Sequence, residues 1–143
     1  MTLEQLKTYL EKEDVVCAVY NGKDLLTSDL KGIRPWIQWL RECPERLEDA
    51  IVVDKVVGKA AAMLMVVAKI KALYTPIISE QAVQYLKHES IALEYDDVVE
   101  FISNANRNGM CVMEATVIDT VDAHEGYQQL LQKIQQLMQA QSQ

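Results

Sequence analysis

The apolar positions along the chain change period several times, and each change marks an element. Leu3, Leu6 and Leu10 share one face of a short opening helix, with Thr2 and Gln5 spaced as a capping box at its start. Val15 to Tyr20 is β-branched and apolar, Asn21-Gly22 offers the positive φ angles of a type I′ turn, and Lys23 to Thr27 returns. Together they predict a β-hairpin. Pro35 suits the first turn of a helix whose inner face is Ile33, Trp36, Ile37 and Leu40, and Pro44 ends it. Trp39 lies three residues from Trp36, so the two indoles are not expected to point inward together, and one is placed at the core edge.

After a strand over Ala50-Ile51-Val52-Val53, residues from about Val57 to Leu73 are apolar nearly all round, which predicts a helix buried against a sheet. Tyr74 to Ile78 reads as the next strand, Ser79 as an N-cap, and Ala82, Val83 and Leu86 as the buried face of another helix. Ile91 to Tyr95 is a further short strand. Val98, Val99, Phe101 and Ile102 fit either a strand or a turn of helix, and residues 104–109 read as a loop before a helix that begins near Cys111. Asp122 and Glu125 form a second capping box for a last helix striped by Tyr127, Leu130, Leu131, Ile134, Leu137 and Met138, with a frayed glutamine-rich end. Helix, hairpin, then alternating strands and helices imply one α/β domain over residues 1–143, a three-layer α/β/α sandwich. The hairpin makes one strand antiparallel, and right-handed crossovers make the others parallel.

Composition narrows the function classes. At 143 residues the chain is long enough for a real core. A formal charge of −7 opposes non-specific nucleic-acid binding, which needs a basic surface. The most apolar stretch, Ala60 to Ala68, is about half of what a bilayer requires and is flanked by Lys59, Lys69 and Lys71, so no membrane association is expected. Three cysteines without close spacing read as reduced thiols, and the opening residues form a charged amphipathic segment rather than an apolar leader. The cytoplasm is the expected location.

The most informative stretch is Asp54 to Ala62, where a strand end feeds the buried helix, a common place for α/β folds to put a ligand site. Gly58-Lys59 at a helix start could hold an anion through backbone N–H groups and the ammonium; the alternative is a glycine for close packing and a solvated lysine. It is not a P-loop, since position 53 is not glycine and Ala60 stands where Ser or Thr would ligate magnesium. Asp54 and Lys55 alternate in direction, and Asp54 could bond a ligand amine or hydroxyl or cap the following helix. Cys111 follows a glycine-containing loop with Arg107 before it and Glu114 one turn after, a setting that suits a reactive thiol although no histidine is placed as its base. The competing reading is an inert core cysteine. Cys17 reads as core and Cys43 as a helix-end residue.

The motifs Asp54-Lys55-x-x-Gly58-Lys59-Ala60-Ala61 and Asn106-Arg107-x-Gly109-x-Cys111-x-Met113-Glu114, on this order of elements, resemble the small bacterial domain of unknown function 1893 family. The resemblance covers almost the whole chain up to the last helix. It implies a cytidine-deaminase-like fold with a mixed sheet of about five strands and helices on both faces. Zinc deaminases of that fold carry H-x-E or C-x-E at one helix start and P-C-x-x-C at the next. Here the corresponding starts read Gly58-Lys59-Ala60-Ala61-Ala62 and Pro76-Ile77-Ile78-Ser79-Glu80, and His88 and His124 lie well beyond both. Zinc needs about four N, S or O ligands, so no metal and no cofactor are expected.

Three functional readings stand. The first is a ligand-binding domain, its pocket framed by Asp54, Lys55, Gly58, Lys59, Ser79, Asn106 and Arg107, with nucleotides or related anionic metabolites suggested by fold analogy. The second is a metal-free enzyme using Cys111 with Glu114 or Lys59. The third is a structural or protein-interaction module whose pocket is closed by side chains. The last helix leaves homo-oligomerisation open.

Overall fold

The computed structural model describes residues 1–104 and 109–142. A helix α1 (Leu3–Glu13) precedes the hairpin β1 (Cys17–Tyr20) and β2 (Leu25–Ser28), then α2 (Arg34–Glu42) and a 3-10 turn at Pro44–Arg46. The strand β3 (Ile51–Asp54) follows, then β4 (Val56–Val57), α3 (Lys59–Ala68), β5 (Ala72–Ser79), α4 (Glu80–Leu86) and β6 (Ala92–Val99). A short α5 (Val112–Thr116) and a long α6 (Ala123–Ser142) end the described chain.

The six strands form one mixed sheet. β1 is antiparallel to both β2 and β3, while β3, β4 and β6 run parallel to β5. β3 and β4 pair with successive stretches of β5, at Ala72–Tyr74 and Ile77–Ile78, so they are two halves of one interrupted strand. Counted so, the sheet has the five positions expected.

Alternation assigns the layers. Ala18, Val53 and Tyr74 lie side by side and pack with Leu6 and Leu10 of α1, whose capping box between Thr2 and Gln5 is formed. Val19, Val52 and Leu73 point to the other face, into the main core with residues of α2, α3, α4 and α6. Helices thus cover both faces, and the mixed α/β sandwich stands. The burial of α3 on nearly every side follows from its small residues and from α6 lying against it, where Gly126 brings its backbone against Met63.

Several local expectations change. The hairpin connection is a four-residue loop, Asn21–Asp24: the Asn21 side-chain oxygen accepts from the Lys23 and Asp24 N–H groups, and Gly22 alone takes a positive φ there. α3 ends at Lys69, which adopts a left-handed φ of 62° and closes the helix, so β5 begins at Ala72 where the apolar run reads as helix. Val98 and Val99 extend β6 rather than forming a helical turn. Trp36 and Trp39 are both buried, packed edge to face with centroids 5.4 Å apart. Among the described residues no helix is long and apolar enough to cross a membrane.

Candidate functional site

Strict alternation from Val52 would turn Val56 inward, yet Val57 is the residue in the core. The chain slips by one residue at Lys55, and β5 slips at the same level: Leu73 and Ile78, five apart, both face the helices, and the Thr75 hydroxyl bonds the Ile77 carbonyl. This break ends β3 with Asp54 facing α2 and starts α3 five residues later, at Lys59.

Asp54 is 2% exposed. The Trp36 indole N–H donates to its Oδ2 at 3.1 Å, and Cys17 lies beside it on β1. Burial pushes its pKa up to about 7, opposed by hydrogen bonds from Trp36, the backbone of Val56 and Lys55, and Cys17. The same burial, with Asp54 adjacent, raises the Cys17 thiol well above its ordinary range. Of the two roles open to Asp54, helix capping is not taken: Gly58 is the N-cap of α3 and has no side chain to offer.

The cap comes from 55 residues away. Glu114 on α5 is buried, and its Oε2 accepts from the Lys59 backbone N–H at 2.7 Å and the Ser79 hydroxyl at 2.6 Å. Its Oε1 accepts from the Ile102 N–H at 2.8 Å. Ser79 in turn caps α4 by accepting from the Ala82 N–H. One carboxylate therefore ties together the starts of two helices and the segment after β6. Gly58 is required beside it, since a Cβ there would come within 2.8 Å of Ile102 Cγ1 and 2.9 Å of Glu114 Oε2.

Around this junction lies a cavity of about 580 Å³. Asp54, Lys55, Gly58, Cys111 and Glu114 all line it, and Ala60, Ala61, Ile102 and Met113 make its wall largely apolar. Both lysine ammonium groups have other partners. The Lys59 ammonium, in a residue only 7% exposed, donates to the Ile118 carbonyl at 2.7 Å, and burial lowers its pKa against the pull of Asp119 and Glu114. Lys55 reaches Asp14 at 3.1 Å. Ser79 sits behind Glu114 rather than in the wall. Asn106 and Arg107 lie outside the described residues.

Cys111 is half-buried, is the N-cap residue of α5, and donates its N–H to the Ile102 carbonyl at 2.7 Å. Glu114, its expected partner in chemistry, is engaged by three donors. A larger cleft of about 850 Å³ between α4 and the start of α6 contains Glu89, Asp119, Asp122 and Glu125 but none of the predicted site residues. Among the described residues no three His, Cys, Asp or Glu side chains converge as a metal-binding set.

The match to a family model described as a domain of unknown function (DUF1893) spans residues 5–134. The chain belongs to that family. It is also similar to the crystal structure of a DUF1893 family protein (TM1506) from Thermotoga maritima, with 27% identity and a TM-score of 0.84 over 92% of this chain and 88% of that one. No curated protein matches it. The match supports the fold, and the family's description names no activity. No local pattern points to Trp36 as a partner of Asp54 or to Glu114 as the cap of α3; the one signal is the place of Glu114 in the second motif.

Proposed function

We propose that this domain binds a small molecule in the cavity at the start of α3. The observation that carries the reading is the convergence of the β3 end, the α3 start and the Cys111–Glu114 segment on one cavity of about 580 Å³. Pockets that bind drug-sized ligands have about this volume, with a mostly apolar wall and a few placed polar groups. A module whose pocket is filled by its own side chains would not keep such a space. Metal-free catalysis by Cys111 is the weaker reading, because Glu114 is held as a structural acceptor and Lys59 is bonded away from the cavity.

The test is a thermal-shift screen of nucleotides and small metabolites on the wild type and on Ala61→Phe, which fills the cavity from its wall. Compounds that stabilise the wild type and leave Ala61→Phe unmoved support the reading. Equal shifts in both proteins, or none in the wild type, overturn it.

A further inference from the structure

Among the described residues, the two almost wholly buried acidic side chains of the cavity wall are Asp54 and Glu114. Of the positive groups that the sequence places beside them, Lys55 lines the cavity but pairs its ammonium with Asp14, the Lys59 ammonium donates to the Ile118 carbonyl, and Arg107 lies outside the described residues. Lys31, which also touches the cavity, is solvent-exposed. Of the N–H groups at the start of α3, that of Lys59 is already held by Glu114 at 2.7 Å. A phosphate or carboxylate entering here would meet two acidic groups in a largely apolar wall, Glu114 and an Asp54 that ionises near neutrality, and like charges brought together in a low-dielectric site repel strongly. A cation would find in Asp54 the partner that a buried charge requires.

We propose that the cavity selects a small organic cation, an amine or amidine, and that Asp54 is the group that pairs with it. This inference rests on the cavity being a ligand site and reverses the anionic class that Gly58-Lys59 suggests in the sequence. Glu114 adds negative potential while staying bonded to Lys59, Ser79 and Ile102.

The experiment compares benzamidine, its neutral isostere benzamide, benzoate and inorganic phosphate by calorimetric titration of the wild type, Ala61→Phe and Asp54→Asn. Benzamidine should bind the wild type at least about tenfold more tightly than benzamide, a difference of about 1.4 kcal/mol, with benzoate and phosphate weaker still. Asp54→Asn, which keeps an acceptor for Trp36, should erase the preference for benzamidine over benzamide. Binding of benzamide, benzoate or phosphate as tight as that of benzamidine, lost in Ala61→Phe, would overturn the charge assignment and leave the cavity as a ligand site. No binding by any of the four would count against both. The four-ligand series on the wild type decides the charge class even if Asp54→Asn fails to fold.

Discussion

The Oε2 of Glu114 accepts the backbone N–H of Lys59 at 2.7 Å, so the start of α3 is capped by a side chain 55 residues further along the chain. Because the same carboxylate also holds Ser79 and Ile102, removing it leaves buried donors without partners. Hydrogen bonds to charged groups contribute about 1.5–3 kcal/mol each and are not additive, so Glu114→Ala should lose about 4 kcal/mol of stability. Glu114→Gln should also destabilise, by about 2 kcal/mol, because its amide NH₂ must face one of the donors. Chemical denaturation measures both. A loss within the error of the wild type in Glu114→Ala would remove the latch.

Gly58→Ala tests the same junction sterically. The backbone at Gly58, φ −101° and ψ −178°, is open to any residue, so the whole effect must come from the contacts of the added methyl with Ile102 and Glu114. Overpacking of this kind costs about 1–3 kcal/mol. Unchanged stability would mean that Ile102 and Glu114 yield freely.

Asp54 should make stability depend on pH in a direction opposite to that of a salt-bridged carboxylate. Its folded pKa is raised from 3.8 to about 7, so between those values the folded state holds a proton that the unfolded state has released. Its contribution therefore declines as pH rises from about 4 to about 7 and is level above that, with a total of about 4 kcal/mol. Asp54→Asn should abolish this slope and equal or exceed the wild type in stability above neutrality. Parallel pH profiles for the two proteins would show that Asp54 titrates normally.

Lys59→Ala should destabilise rather than leave the fold untouched. The residue is 7% exposed and its part-buried ammonium donates to the Ile118 carbonyl, an interaction worth about 1 kcal/mol once solvent screening is allowed for. A melting temperature equal to that of the wild type would return Lys59 to the role of a solvated surface lysine.

Much of the architecture is legible because it is local. The capping box of α1, the Pro35 start of α2, the Ser79 cap of α4 and the α6 stripe from Tyr127 to Ile134 each lie within a few residues of the signal that predicts them, whereas Leu137 and Met138, at the end of that stripe, are exposed. The length of α3 is not, because Ile70 continues the apolar run past Lys69 and only the left-handed turn at Lys69 reveals the end. The site is legible as a set of positions and not as chemistry. Asp54, Gly58, Cys111 and Glu114 do meet at one cavity. The ammonium groups of Lys55 and Lys59 are directed elsewhere by Asp14 and Ile118, partners too distant in sequence for any local pattern to disclose.

The central claim, that the α3 cavity is where a ligand binds, is tested most directly at Cys111. Cys111 lines the cavity, whereas Cys43 lies at the end of α2 and Cys17 is wholly buried. Timed iodoacetamide labelling, mapped by mass spectrometry, reports each cysteine separately. Compounds that raise the melting temperature of the wild type should slow labelling of Cys111 and leave Cys43 unchanged, with Cys17 unlabelled throughout. Stabilising compounds that leave Cys111 labelling as fast as before, or slow Cys43 equally, would contradict the assignment of the site.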